Sequence, residues 1–396
     1  MSALRIALVC PALPPHPGGV ADHAARWAEA VATHLGHEVV AITGPGAAPA
    51  GFSLAAPCEA WGLRAVHHLP AALEAVAPDL VVLQYVPQLY ERRGFSLGIA
   101  LAARAIAQRG WPLLTTAHEL HFGWHEGVRH LPAGLVQRLA LWPLLHASRR
   151  VVFTVAAREA AMRRRFPALA ARFATLPVGP NLPPLAGVDR AGWRRAHGWR
   201  ADEVVLVFQG GPHPSKDRAA LEAALARLDA EGLAGRLVCI GGTAPVAHPR
   251  VLALGQLAER DAREALSAAD MALLPFLDGA SGRRSSLTNA LACGLAVVST
   301  RGPYTDPTWD RPDVMRLVPP GDAGAFATAV ADLVRDEAAR ARLAGAGLAF
   351  AETRLAWRVL SEAWRPWLEE AVRRPPGPDA GGAGPCGGGS DAAAGP

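Results

Sequence analysis

Two neighbouring arginines lie at the start of a predicted helix, just after a predicted buried strand. Segment 273–300 reads LLPFLDGASGRRSSLTNALACGLAVVST. The pattern predicts a strand to 275, a Gly/Ser-rich loop, a helix over 285–293 that stops at Gly294, and a strand over 296–300. Arg283 and Arg284 are followed by Ser285 and Ser286 at the helix start.

This position suits an anion. In an open α/β sheet, ligands bind outside the carboxyl ends of the strands, and a helix that begins there presents free N–H groups and a positive dipole end. Two guanidinium groups and two hydroxyls beside those N–H groups predict a phosphate site. A solvated loop before an ordinary crossover helix is the alternative, and it stays open.

The single lysine of the chain occupies a comparable position. Lys216 lies in the loop GGPHPSKD, between a predicted strand over 204–209 and a predicted helix over 218–228. We interpret it as a second candidate anion site, with Lys216 as a point charge and His213 as a helper. A surface lysine in a turn is the alternative.

A glycine pair follows the first predicted strand, 5–10. Gly18 and Gly19 end the loop PALPPHPGG, just before the first predicted helix. Because glycine has no Cβ, the backbone there can approach a phosphate or a sugar. The loop is not GxGxxG, so the dinucleotide fingerprint is absent, and a merely tight turn is the alternative.

Polar side chains follow two further predicted strands, 80–84 and 113–117. Gln84 and Tyr85 come after the first strand, and His118 and Glu119 come after the second. Side chains at strand ends line the crevice of such a sheet, so His118 could position or hydrogen-bond a reacting group. A histidine satisfied by neighbouring backbone is the alternative.

The segment HELHFGWHE, which carries His118, His121 and His125 with Glu119 and Glu126, is a weak candidate for a metal site. It lacks the HExxH arrangement of two histidines four residues apart with a glutamate beside the first, and it is predicted to be a loop. We therefore expect no bound metal.

Strands and helices alternate along both halves of the chain, which predicts an α/β fold with parallel sheets. The predicted strands cover 5–10, 37–43, 80–84, 113–117, 151–154, 204–209, 236–241, 251–254, 271–275, 296–300 and 315–318. Predicted helices follow Gly19 and cover 96–108, 136–147, 218–228, 261–268, 285–293 and 324–336, with one or two long helices in 343–372.

The proline-rich segment ATLPVGPNLPP, 174–184, predicts the junction between two domains, because four prolines and a glycine cannot continue a regular element. We expect Rossmann-like domains over 1–178 and 179–350 that face each other across a cleft. A helix over 351–374 is predicted to pack back toward the first domain. The Pro/Gly/Ala-rich segment 375–396 is predicted to be a disordered tail.

Length and composition agree with this organisation. The chain has 396 residues, which exceeds what one hydrophobic core usually serves, and 51% hydrophobic with 19% charged residues is typical of a soluble globular protein. A net charge of +5 without a basic cluster interleaved with aromatics argues against nucleic acid as a partner. It suits anionic small molecules or an acidic membrane surface.

Location is predicted from the cysteines and from the apolar runs. Five scattered cysteines without CxxC, no signal-peptide pattern and no 18-residue uncharged apolar span predict a cytoplasmic protein. The predicted helix after strand 151–154 carries Arg158, Arg163, Arg164 and Arg165, and it could rest on the anionic inner face of a membrane. A solvated charged face is the alternative.

Taken together, the motifs resemble those of the bacterial family-4 glycosyltransferases, over about residues 1 to 370. The resemblance rests on their order along the chain: PGGVADH, TTAHEL, PVGPNLPP, HPSKD, LGQLAERDAREALSAADMALLPF and NALACGLAVVST. It implies the GT-B fold and the retaining transfer of a sugar, from a UDP- or GDP-linked donor to a glycan or glycolipid acceptor. It also implies no bound metal and no cofactor beyond the donor itself.

The resemblance also implies roles for individual residues. Gly18 and Gly19 would approach the donor's diphosphate or sugar, and His118 would contact the sugar near the reacting carbon. Lys216 would neutralise the departing diphosphate, and backbone around Gly255, Gln256 and Leu257 would hold the base. Preorganised cations and helix-end N–H groups lower a barrier dominated by charge on that diphosphate.

The chain departs from the family pattern at three positions. The family has two glutamates eight positions apart, where this chain has Ser281 and Asn289. The amide of Asn289 can hydrogen-bond a ribose hydroxyl but carries no charge. The family's arginine ahead of its lysine is also missing, and Arg283 or Arg284 could replace its charge. A GT-B protein without turnover that serves another transferase is therefore the second functional hypothesis, and a sugar-nucleotide epimerase is the third.

Overall fold

A computed structural model describes residues 2–48, 51–58, 61–91, 94–121, 130–200 and 202–373. They form two sheets in which every paired strand is parallel. The first sheet has the order β3-β2-β1-β4-β5-β6-β7 and the second β10-β9-β8-β11-β12-β13. The strands are β1 Arg5–Val9, β2 Glu38–Ile42, β3 Ser53–Leu54, β4 Leu80–Tyr85, β5 Leu113–Ala117, β6 Arg150–Phe153, β7 Phe173–Thr175, β8 Val204–Gln209, β9 Gly235–Ile240, β10 Val251–Gly255, β11 Met271–Leu274, β12 Ala296–Thr300 and β13 Arg316–Val318.

Helices connect these strands and cover both sheets. They are α1 Gly19–Ala30, α2 Ala65–Val76, α3 Pro87–Tyr90, α4 Leu97–Gln108, α5 Leu131–Ala147, α6 Ala156–Arg165, α7 Arg190–Ala196, α8 Arg218–Ala230, α9 Glu259–Ala268, α10 Ser285–Ala292, α11 Ala323–Arg335, α12 Glu337–Arg354 and α13 Trp357–Arg373. A π-helical turn, Val31–Leu35, extends α1, and a 3₁₀ helix, Pro167–Arg172, precedes β7.

The central strands are apolar along their whole length because helices cover both faces of a parallel sheet. All residues of β4, β5, β11 and β12 are buried. In each sheet the strand order reverses once, between β1 and β4 and between β8 and β11. The reversal opens a crevice at the carboxyl ends of those strands, which is where ligands bind in such folds.

The last helix returns to the first domain. In α13, the Trp364 ring lies edge-on against Trp27 of α1 with ring centroids 5.3 Å apart, and Arg150 of β6 forms an ion pair with Glu370 at 2.9 Å. The Trp357 indole donates to the Pro180 carbonyl, N···O 3.0 Å, so α13 also holds the connection between the two sheets.

Several predicted boundaries were wrong for local reasons. The strands β3 and β7 were missed because they have two and three residues, and β7 occupies the start of the predicted junction 174–184. The apolar helix predicted over 136–147 begins earlier, at Leu131, with Pro132 in its first turn. The pattern over 343–372 is two helices, α12 and α13. The predicted tail 375–396 lies outside the described residues.

The contact between Trp364 and Trp27 predicts a large effect on stability. Trp364 is 3% exposed, so Trp364→Ala should lower the free energy of unfolding by about 3–5 kcal/mol, because a cavity opens between α13 and α1. Trp142→Ala, at a residue that is 53% exposed, is the matched control and should change it by less than about 0.5 kcal/mol. Equal shifts of the two variants in urea unfolding would contradict this packing.

Candidate functional site

Two helix starts face each other across the crevice between the sheets. A Cβ built on Gly19, at the start of α1, would lie 3.8 Å from the Ser285 hydroxyl oxygen, at the start of α10. No side chain caps either helix, and Gly18 and Gly19 are exposed. Two positive dipole ends therefore approach the same space, and an anion between them would be stabilised by both. The structure thus brings Gly19 together with Ser285, and Gly18 and Ser286 are their neighbours in the chain.

The two arginines at the start of α10 are neutralised by carboxylates. Arg284 forms an ion pair with Asp278 at 2.5 Å, and Arg283 contacts the other oxygen of Asp278. Arg283 also reaches Glu119 in the first domain at 2.5 Å. Burial alone would raise the pKa of Asp278, but the charges of Arg284 and Arg283 outweigh it and hold that pKa below its ordinary value.

The chain of charges continues through the first domain. Glu119 accepts from Arg158 of α6 at 2.6 Å, and Arg158 donates to the backbone carbonyl of His118. The Tyr304 ring lies below both guanidinium groups, 5.1 Å from Arg158 and 5.5 Å from Arg283. Sequence reasoning did not place Asp278 or Arg158 in the site, because the contact of Asp278 depends on how its loop folds and the contact of Arg158 passes through Glu119, which bridges the two domains. The Asp in the FLDGA segment ahead of the arginine pair was the only available signal.

Lys216 lies beside this cluster. Its ammonium donates to the carbonyl oxygens of Gln209 and Gly211 at 2.9 and 3.1 Å and lies 4.5 Å from the centre of the Phe208 ring. Burial, and then the charge of Arg284, lower the pKa of Lys216 to about 8. Lys216 is thus half-buried, and its ammonium lies against the carboxyl end of β8.

The loop that carries Lys216 is joined to the start of α10. Arg284 donates to the Ser215 hydroxyl, N···O 3.0 Å, and Ser215 in turn pairs with His213 Nδ1 at 2.8 Å. His213 and Lys216 help to line a pocket of about 240 Å³ whose other walls are mostly apolar. Lys216, Arg284 and His213 are therefore neighbours, and they are supplied by the loops after β8 and β11.

His118 faces the crevice from the first domain and is neutral. Its Nε2 pairs with the Gln84 side-chain oxygen at 2.8 Å, and burial, followed by the charge of Arg158, lowers its pKa to about 3. With the Gln84 amide in this orientation, Nε2 carries the proton and Nδ1 keeps its lone pair. Because an unfolded histidine titrates near pH ~6.5, this burial reduces folding stability as the pH falls from there toward 3.

A second buried histidine supports His118. The ring of His23, in α1, lies edge-on to His118 with centroids 5.0 Å apart and 5.4 Å from Trp357. Burial, and then His118, hold the pKa of His23 well below its ordinary value. Sequence reasoning missed His23, although it ends the quoted PGGVADH segment.

Asn289 is fully buried and both ends of its amide are engaged. Its oxygen accepts from the Leu182 backbone N–H and its nitrogen donates to the Gln209 side-chain oxygen, each at 3.0 Å. The structure therefore places this side chain between the domain junction and β8, and not on the open crevice. Ser281, at the other departure from the family pattern, is also fully buried.

The predicted base-binding segment lies at the carboxyl end of β10. Gly255, with φ +67°, accepts from the Gly241 N–H at 2.7 Å, and Gln256 is exposed while Leu257 is half-buried. A Cβ on Gly242 would come within 2.8 Å of the Gly211 Cα, so the ends of β8 and β9 touch through glycine backbone. Gly241 and Gly242 were missed, although a glycine pair after a strand was visible in the sequence.

Comparison with known proteins agrees with the fold of two parallel sheets. Residues 203–336 match the family model described as Glycosyl transferases group 1. Sucrose-phosphate synthase from Thermosynechococcus elongatus superposes with a TM-score of 0.71 at 20% identity, over 93% of this chain and 99% of that one. The chain has the GT-B fold. No curated protein matches the sequence.

Two further GT-B structures are similar over most of their length. The HepE protein of Anabaena, in complex with UDP and glucose, has a TM-score of 0.66 at 16% identity over 93% of this chain and 100% of that one. The catalytic domain of starch synthase IV from Arabidopsis thaliana, bound to ADP and acarbose, has a TM-score of 0.67 at 12% identity over 94% and 100%.

The grouping of potential metal ligands bears on the weak metal-site candidate around His118, His121 and His125. In the described part of the GT-B chain, no three His, Cys, Asp or Glu side chains are grouped so as to hold a metal ion. His125 and Glu126 of the weak candidate segment lie outside the described residues. No described helix combines the length and apolar character needed to cross a bilayer.

The carboxylate of Asp278 should oppose anion binding while stabilising the fold. Asp278→Asn leaves two largely buried arginines short of a counter-charge, so we expect the free energy of unfolding to fall by about 3–5 kcal/mol. Added pyrophosphate should raise the urea midpoint more in the variant than in the wild type. Asp313→Asn, at an exposed ion pair with Arg311, should change neither the free energy of unfolding nor the shift of the urea midpoint by pyrophosphate. A variant that pyrophosphate stabilises no more than the wild type would contradict this.

The pKa of Lys216 predicts how anion affinity depends on pH. Deprotonation above about pH 8 removes a positive charge, so the affinity for UDP measured by calorimetry should fall by up to about tenfold between pH 7 and 9. The free energy of unfolding should rise between pH 8 and 10.5, because in that range the unfolded chain holds a proton on Lys216 that the folded protein has lost. Lys216→Arg keeps its positive charge over this range, so its affinity for UDP should stay constant between pH 7 and 9. The same decline in both proteins would exclude Lys216 as its cause.

Proposed function

We propose that the chain is a glycosyltransferase that moves a sugar from a UDP- or GDP-linked donor to a glycan or lipid-linked acceptor, with retention of configuration. One observation carries the proposal. The uncapped starts of α1 and α10, from separate domains, meet beside Lys216 and Arg284 at the crevice. Such a site suits a diphosphate better than a neutral ligand.

The proposed chemistry follows from where charge accumulates. The acceptor hydroxyl oxygen bonds to the anomeric carbon, the bond from that carbon to the phosphate oxygen breaks, and its electron pair leaves with the nucleotide diphosphate. The hydroxyl proton passes to the departing phosphate oxygen. Lys216, Arg284 and the two helix starts would stabilise the charge that develops there, and preorganised groups of this kind give the largest contributions to catalysis.

The first domain would hold the sugar and the acceptor. His118 is neutral, so it would hydrogen-bond a sugar hydroxyl without adding charge. Glu119, the adjacent carboxylate, is bonded to Arg158 and Arg283, so its oxygens are not available as a nucleophile. A retaining reaction at this site would therefore proceed without a covalent intermediate on Glu119. Backbone at Gly255 would hold the base, and the proposed place of action is the cytoplasm, with access to a membrane surface.

A catalytically inactive partner of another transferase is the second proposal. The observation that favours it is the engagement of Asn289, whose amide is used within the protein, together with the buried Ser281 at the other glutamate position. A protein of this kind would bind a nucleotide sugar weakly or not at all.

Donor hydrolysis separates the two proposals. We expect slow release of nucleotide from at least one of several UDP- and GDP-sugars, and Lys216→Ala should reduce that rate about 10²–10³-fold, the effect of losing one preorganised charge donor. Arg200→Ala, which removes a charge from an exposed pair, should keep the wild-type rate.

Two results would count against the transferase. Unchanged hydrolysis by Lys216→Ala would remove the diphosphate assignment, and absence of both hydrolysis and calorimetric binding for every donor would favour the inactive partner.

A further inference from the structure

The outward face of α5 is apolar where a surface helix is normally polar. Leu135, Leu139 and Trp142 are 54%, 64% and 53% exposed, and Leu131 is at the border of exposure with 36%. At about 100° per residue these four side chains fall within an arc of about 80° on the helix. We call them the α5 face.

The opposite side of the same helix is buried in the first domain, through residues such as Ala140, Leu141 and Leu144. A helix that is apolar all round is normally enclosed. Here α4 covers one side of α5 only, so the α5 face has no described partner within the chain. Of the eight exposed large hydrophobic side chains in the described residues, four belong to this face, and Leu277 alone belongs to the second domain.

The two helices on this side of the first domain carry basic but no acidic side chains. Neither α4 nor α5 contains an aspartate or glutamate, while Arg104 of α4 is exposed and Arg138 of α5 is half-buried. An apolar stripe with a tryptophan, flanked by basic and not acidic side chains, matches the interface of an anionic bilayer.

The size of the face also favours a bilayer over a second copy of the chain. Four partly exposed side chains present a few hundred Å² of apolar surface, whereas a stable dimer needs about 800 Å² from each partner. We propose that the α5 face docks the protein on a membrane surface that contains anionic phospholipid.

The α5 face is a different surface from the basic helix α6, for which the sequence left both a lipid contact and a solvated face open. In α6, Arg158 binds His118 and Glu119, and Arg163 binds Glu159 and the Phe173 carbonyl. Two of its four arginines are thus engaged within the protein, and α6 presents no large exposed apolar side chain.

Vesicle flotation tests the proposal with the full-length chain. We expect flotation with vesicles of phosphatidylcholine and phosphatidylglycerol, and weaker flotation with phosphatidylcholine alone. The double variant Leu135→Gln and Leu139→Gln should partition at least about tenfold less, because two apolar anchors are lost. Leu277→Gln, at a leucine of the second domain that is 44% exposed, is the matched control and should float like the wild type.

The outcomes are distinguishable. Both replaced leucines are exposed, so the variant's circular dichroism and unfolding midpoint should match the wild type. Wild-type protein that floats with neither vesicle, or a double variant that floats equally well, would overturn the proposal. A dimer in sedimentation that the double variant dissociates, without flotation, would assign the face to a second copy. The vesicles contain no sugar donor or acceptor, so the result is independent of the proposed transferase activity.

Discussion

Charge neutralisation in the crevice is the constraint on which the site depends. Arg283 and Arg284 are largely buried at the start of α10, and a buried cation without a counter-charge is costly. Asp278 and Glu119 supply that counter-charge in the absence of an anion. A diphosphate entering the crevice would exchange one anionic partner for another, so its affinity reflects a difference between two sets of ion pairs and not the full strength of either.

The same constraint couples the domains. Glu119 belongs to the loop after β5 and Arg283 to the loop after β11, so their ion pair joins the two domains at the residue next to His118. Arg26 of α1 makes a second bridge, to Glu259 of α9. A ligand between the sheets that breaks these ion pairs would also change the distance between the two domains. Ligand binding and domain spacing would therefore be coupled.

The fold could be predicted from the sequence, and the prediction of a GT-B fold is confirmed. Its central strands are continuous apolar runs, and such runs are visible without tertiary information. Edge elements such as β3 and β7 are too short to show a period. The loops bearing Gly19, Lys216 and Arg283 could be found because each follows a strand. Their partners were harder to find, since Asp278 meets the arginines only through the folding of one loop and Glu119 only after the two domains pack together.

The sequence also could not show which side of α5 is buried. The apolar pattern of α5 predicts a helix but does not say which of its leucines face the core, because nearly every position is apolar. Only the packing of α4 shows that Leu135 and Leu139 point outward. A helix that connects two parallel strands begins on the side of the sheet where the first strand ends, so the start of α5 lies on the side that carries His118. A bilayer docked on the α5 face would then approach the first domain near that side. An acceptor with a lipid anchor could then reach the sugar-binding side without leaving the membrane. Docking through α5 would in that case bring the acceptor to the domain that carries His118.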